Sequence, residues 1–373
     1  MDLHTLKTPS LILDVARVKR NAEQMSRRAK QFDVDLRPHV KTHKCLEVAR
    51  IQTDGSSGAV TVSTLAEARA FALHGFTCIT YAVPIEPGKF QEAIEISKNC
   101  EDLSLITDNV DVPGQLNDIA KKEDVKLSVF LKVDSGYHRC GVEPTTSEAL
   151  EIPRRITDAS HLRFAGILTH AGHSYHCTSP AEVLMVAKQE RDVMANFAEH
   201  LRNEVGPVPI VSIGSTPTIT SVDHLEGIDE VRPGNYIFFD AFQATLGTCD
   251  VDDCALTVLA SVVHRDAARQ KVIIDAGAIA LSKDRGPLEL DPKCGYGKIL
   301  DLEGNDFKVT VDSMSQEHGV IFTEDQSVFD RLKIGTRVRV LENHSCLTAG
   351  QHSYYNVLEG ERIVDRWQIH TGW

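Results

Sequence analysis

Apolar residues gather in short β-branched runs through the first two thirds of the chain. Eight such runs follow the N-terminal segment, at residues 34–40, 59–63, 78–84, 103–107, 125–134, 164–170, 210–214 and 230–236. Helical stretches separate them, clearest at 64–75 and 179–205. In the longer one Val183, Val186, Met194, Phe197 and Leu201 recur at helical spacing, and Ser179-Pro180 supplies an N-cap followed by a first-turn proline. The pattern predicts one surface helix there. Eight strands alternating with helices fit a (β/α)8 TIM barrel; a doubly wound open sheet gives a similar string, and the count favours the barrel. After about Leu246 the texture turns to alternating segments such as LTVLASVVH, FKVTVDSM and TRVRVL with Gly, Asp and Pro between them, which reads as an antiparallel β domain. The expected organisation is a barrel over residues 15–245 and a β-rich domain over 246–373, joined by the N-terminal segment 1–14.

Composition narrows the partners. Hydrophobic residues make up 42% and charged residues 25%, the mix of an ordinary globular protein. The 40 Lys and Arg against 53 Asp and Glu leave a formal charge of −13, which repels phosphate backbones and anionic lipid heads. Neither nucleic acid nor a membrane is expected as a partner, and no leader or membrane-spanning run is read in the sequence. Nine scattered cysteines, never spaced CxxC, suit reduced cytoplasmic thiols rather than a disulfide framework or zinc ribbon.

Candidate chemistry collects at the predicted C-terminal ends of the barrel strands, the face where barrels build their sites. The first strand runs into RPHVKTHK and places Lys41 there. A lysine among basic residues is by itself more often a solvated surface charge, so the neighbours decide. SIGSTPT (212–218) and RPGN (232–235) follow strands seven and eight, where glycine-containing loops commonly cup a phosphate. DSGYHRCG (134–141) offers Arg139 to an anionic oxygen. THAGHSY (169–175) offers His170 or His173 to stack on a ring and Tyr175 to hydrogen-bond its nitrogen. Near the end, His344 and Cys346 in LENHSC follow the apparent strand TRVRVL; at i and i+2 on an extended segment both face one divalent ion. An imidazole with a thiolate favours zinc over magnesium or manganese.

Through PHVKTHK, DSGYHRCG, THAGHSY, SIGSTPT, RPGN and NHSC the chain resembles, over essentially its whole length, the fold type III pyridoxal phosphate enzymes of the alanine racemase-like group. It is most similar to their D-serine dehydratase and D-threonine aldolase branch. The resemblance implies that Lys41 is the Schiff-base lysine and catalytic base, that His170 lies against the pyridine ring, and that Arg139 faces the phenolic oxygen. It implies further that Tyr175 contacts the cofactor and that Thr216, Gly234 and Asn235 hold it, chiefly at the phosphate. Arg232 aligns with the arginine that pairs the pyridine nitrogen in the racemases, and Tyr175 ranks above it here. The branch also holds a metal with the His344–Cys346 segment beside the cofactor. The function so implied is a zinc-dependent lyase of 3-hydroxy D-amino acids, a D-serine dehydratase first and a D-threonine aldolase second, working as a homodimer. A noncatalytic pyridoxal phosphate carrier is the rival from another class. A metal hydrolase on a barrel is disfavoured, because no HxH ends strand one.

Overall fold

The computed structural model describes residues 2–54 and 58–373; Met1 of the N-terminal segment and residues 55–57 of the barrel segment lie outside it. The chain divides into two compact units, Glu23–Gly234 with His370–Trp373, and Met1–Ala22 with Asn235–Ile369.

The first unit is built on eight parallel strands: Asp35–Leu36, Val60–Val62, Cys78–Pro84, Asp102–Thr107, Leu127–Lys132, Leu162–Leu168, Ile210–Ile213 and Glu230–Val231. Each pairs with its sequence neighbour except the first, which pairs with the last, and a parallel bridge from His39 to Thr61 joins first to second and closes the ring. The (β/α)8 arrangement predicted from the eight runs is present. Several strands are shorter than predicted, for a local reason. The first and eighth strands end at Leu36 and Val231; Pro38 and Pro233, which lack an N–H, interrupt the regular ladder although Arg37 and His39 still donate to the Val231 and Pro233 carbonyls at 3.0 Å, and Val40–Thr42 and Asn235–Ile237 then form single 3-10 turns. The helix predicted at 179–205 is Pro180–Glu204, with the Ser179 hydroxyl accepting the Glu182 N–H at 3.3 Å. Its buried residues are Val183, Ala187, Glu190, Arg191, Met194, Phe197, Ala198 and Leu201. Glu190 and Arg191 are the charged members of that series, and Glu190 is the more deeply buried.

The other unit is a mostly antiparallel sheet. Its central strands are Leu256–Asp266, Ser10–Asp14 and Tyr354–Glu359, in that spatial order. Ser10–Asp14 runs antiparallel to the first (Ile12 opposite Thr257) and parallel to the last (Ile12 opposite Asn356), so the N-terminal segment is an interior strand of the C-terminal sheet. Arg337–Leu341 flanks Leu256–Asp266 on the other side and leads into His344 and Cys346.

Candidate active site

The Lys41 turn is fastened at several points. His39 caps it, Nδ1 accepting the Lys41 N–H at 3.4 Å, while Nε2 lies 3.5 Å from the Ser63 hydroxyl. Lys44, with a left-handed φ of 49°, donates to the buried Glu67 carboxylate, whose other oxygen accepts the Ser63 N–H at 2.8 Å. This pair ties the turn to the loop after the second strand. Lys41 is the middle residue of a 3-10 turn, Val40–Thr42, that follows the strand, which ends at Leu36 rather than at residue 40 as the sequence suggested.

His43 is fully buried, its Nδ1 accepting the Cys45 N–H at 3.0 Å and its Nε2 2.8 Å from Gln52 Oε1. Burial pulls its pKa down to about 3. Because the folded value lies below the unfolded one of about 6.5, the unfolded chain binds the extra proton and stability falls as pH drops below about 6.5. His43 alone is expected to remove about 2 kcal/mol by pH 5. Urea unfolding at pH 7.5 and pH 5 checks this: His43→Leu is expected to flatten the pH slope, and an unchanged slope contradicts the assignment.

His170 follows the sixth strand with its Nδ1 3.1 Å from the Gly214 carbonyl and its ring edge-on to Tyr137, centroids 6.3 Å apart. Burial, reinforced by the Lys41 charge, keeps both His170 and His39 well below the ordinary histidine pKa. Two neutral imidazoles thus neighbour the Lys41 amine. Arg139 is exposed and stands over the Tyr137 ring, 5.0 Å from its centroid. Tyr175 is half-buried on the 3-10 turn Gly172–His176. Thr216, buried, opens the short helix Thr216–Ser221, where Ser215 and Thr218 form a reciprocal capping box. At Gly234 a Cβ would lie 2.8 Å from the His39 carbonyl and 3.2 Å from Thr42 Oγ1, so only glycine lets this segment lie on the Lys41 turn. Arg232 is buried and donates to the Ser212 hydroxyl and the Thr169 carbonyl.

Lys132 was missed by the sequence reading. It ends a strand whose six residues are all buried, and burial, with Arg232 close by, brings its pKa down to about 7. A lone lysine closing an apolar run was the available signal. Glu190, in the core stripe of its helix, was missed too.

In the other unit His344 and Cys346 come together, but not on an extended segment. His344 keeps extended backbone (φ −143°, ψ 98°) and is the N-cap of a helix Ser345–Ala349, so Cys346 lies in a helical first turn. The Asp240 carboxylate starts that turn by accepting the Ser345 N–H at 3.0 Å and its hydroxyl at 3.2 Å. The two side chains still hydrogen-bond each other. His344 Nδ1 lies 2.6 Å from Asp284 Oδ2, which leaves Nε2 for an ion. The Asn235 amide nitrogen reaches Asp240 (2.7 Å), Ser345 (3.0 Å) and the Cys346 sulfur (3.9 Å). Close by, Glu342 is fully buried with neither carboxyl oxygen partnered, and burial beside Asp240 pushes its pKa well up. The imidazole of His344 and the thiol of Cys346 are two donors of the kind a divalent ion takes. Among the described residues no set of three or more His, Cys, Asp or Glu side chains is arranged to hold one. Nor is any helix long and apolar enough to cross a membrane.

Residues 13–241 match the family described as "Alanine racemase, N-terminal domain", and residues 255–358 match "Putative serine dehydratase domain". The chain is 37% identical to D-threo-3-hydroxyaspartate dehydratase of Delftia sp. (strain HT23) over 100% of this chain and 99% of that one. It is 34% identical to D-serine dehydratase of Dictyostelium discoideum over 100% and 98%. The solved Delftia enzyme superposes with a TM-score of 0.96 over 100% of each chain; a cysteine-to-alanine variant of it is described in a metal-free form. D-threonine aldolase from Filomicrobium marinum is 25% identical, with a TM-score of 0.86 over 99% of this chain and 97% of that one. The chain belongs to the alanine racemase-like, fold type III family of pyridoxal phosphate enzymes, in the branch whose second domain is of the serine dehydratase kind.

Proposed function

We propose that the protein is a pyridoxal phosphate- and zinc-dependent lyase of 3-hydroxy D-amino acids, a D-serine dehydratase or close relative converting D-serine to pyruvate and ammonia. The observation that carries this reading is the Lys41 turn, on which the Gly234 segment lies so closely that only glycine fits, and whose lysine charge lowers the pKa of two buried imidazoles, His39 and His170. Those residues fit the cofactor. Lys41 would hold it, Thr216 and Gly234 with the Asn235 backbone would receive its phosphate, and Arg139 would face its phenolic oxygen. Bound there, pyridoxal phosphate supplies a sink for the electron pair left at Cα.

Lys41 Nζ would act as the general base that takes the Cα proton. His170, kept neutral by burial, would lie against the cofactor ring without adding charge. Tyr175 would serve the ring nitrogen, as the resemblance implies. His344 and Cys346 would hold a divalent ion, which would supply Lewis acidity for loss of the β-hydroxyl. Thiolate and imidazole support zinc among the candidate ions. A homodimer and a cytoplasmic location complete the reading, supported by the family resemblance and by nine free thiols.

The second reading, D-threonine aldolase, draws on the likeness to the Filomicrobium enzyme. Products separate the two. D-serine is expected to give pyruvate and ammonia at a rate abolished by chelator and restored by zinc. Glycine and acetaldehyde from D-threonine as the dominant reaction overturn the dehydratase reading, and binding of the cofactor with no turnover of either substrate favours the carrier.

A further inference from the structure

Glu190 has no place in the reading above, yet it is the most heavily engaged buried carboxylate of the barrel. It projects from helix Pro180–Glu204 and is fully buried. Oε1 accepts two backbone N–H groups, Ala171 at 3.0 Å and Gly214 at 3.1 Å, and Oε2 accepts the Thr218 hydroxyl at 2.9 Å. Ala171 directly follows His170. Gly214 precedes, and Thr218 belongs to, the capping box that presents Thr216. One side chain therefore holds the loop after the sixth strand and the loop after the seventh.

Gly214 is gripped on both faces of its backbone. Its N–H goes to Glu190 and its carbonyl receives His170 Nδ1 at 3.1 Å. Its φ of +127° is open to glycine and to few other residues, and a Cβ there would lie 3.0 Å from the Arg232 nitrogen. A carbonyl only accepts, so the neutral His170 ring carries its hydrogen on Nδ1 and keeps Nε2 as a lone pair. A further contact runs from Ser215 Oγ to Ser174 Oγ at 3.0 Å, next to Tyr175. All three donors converging on Glu190 need acceptors, which a carboxylate provides on both oxygens.

We propose that Glu190 is a positioning residue of the cofactor pocket: it clamps loop 212–218 to loop 169–176 and thereby sets the ring plane and tautomer of His170 and the placement of Thr216. This rests on the pyridoxal phosphate reading. A buried acid kept only for stability would leave cofactor affinity and spectrum untouched.

The test compares wild type with Glu190→Ala and Glu190→Gln. Three quantities are measured: the dissociation constant for pyridoxal phosphate added to cofactor-free protein, the absorption maximum of the bound cofactor, and the unfolding midpoint of the cofactor-free form. Glu190→Ala is expected to weaken binding about tenfold or more and to shift the absorption band. Glu190→Gln keeps an oxygen for Ala171 and Gly214 and turns its amide toward Thr218, whose hydroxyl can accept; binding within about threefold of wild type is expected. If Glu190→Ala does not fold, Glu190→Asp, which keeps the charge and withdraws the oxygens by one methylene, is expected to show the same weakening and shift. Wild-type affinity and an unshifted band in Glu190→Ala, or in Glu190→Asp where that variant stands in, overturn the clamp alone, even if the midpoint falls. If wild type itself takes up no pyridoxal phosphate, the functional reading fails first and the clamp with it.

Discussion

Lys41→Ala is expected to lower D-serine turnover about a thousandfold or more, the range lost when a positioned proton-transfer group disappears. It should also leave a protein whose pyridoxal phosphate washes out on dialysis. Three lysines compete for the role. Lys44 is committed to the Glu67 carboxylate, and that buried pair is costly to break. Lys132 has the more obvious qualification, a pKa brought down to about 7 by burial, at the end of a barrel strand. Yet Lys41, not Lys132, is the charge that after burial most lowers the pKa of both His39 and His170. Borohydride reduction followed by peptide mapping decides between them. Label on Lys41 is the expected outcome, and label on Lys132, or on no lysine, sinks the assignment.

The eight barrel strands could be counted in the sequence because parallel barrel strands, covered on both faces, are nearly continuous apolar runs. The intervening helices announced themselves too, through Ser179-Pro180 and Thr64, whose hydroxyl accepts the Glu67 N–H at 3.0 Å. Strand ends were less legible, since Pro38 and Pro233 interrupt a ladder that the β-branched neighbours alone would continue. Long-range contacts were not legible at all. Asp240 starts the helical turn at Ser345, and Asp284 fixes His344, each across many residues of chain. A period-2 reading of LENHSC had no means of seeing either. Glu190 was hidden differently: it occupies a core position of an amphipathic helix, where a charge is noticed only if every position of the stripe is asked what it would bury against. Arg232, the alternative to Tyr175 that the resemblance offered, donates to Ser212 and Thr169 through contacts no sequence pattern announced.

Cys346→Ala is the substitution on which the choice of dehydratase depends. His344 and Cys346 are consecutive in space as N-cap and first-turn residue of helix Ser345–Ala349, and Asp284 holds His344 by Nδ1. Removing the sulfur leaves one protein donor, an arrangement that holds zinc poorly. Elimination from D-serine is then expected to fall about a hundredfold or more, since the β-oxygen departs without Lewis-acid help. The cofactor's absorption spectrum should be unchanged, because Lys41, His170 and Gly234 belong to other elements. Cys346→Asp supplies a carboxylate oxygen in place of the thiolate and is expected to shift the metal preference toward manganese or magnesium, the harder ions. Metal content, spectrum and turnover of D-serine and D-threonine are measured together for each variant. A Cys346→Ala protein that keeps both a full complement of zinc and its wild-type elimination rate would show that the pair is structural, and the dehydratase reading would lose its support against the aldolase.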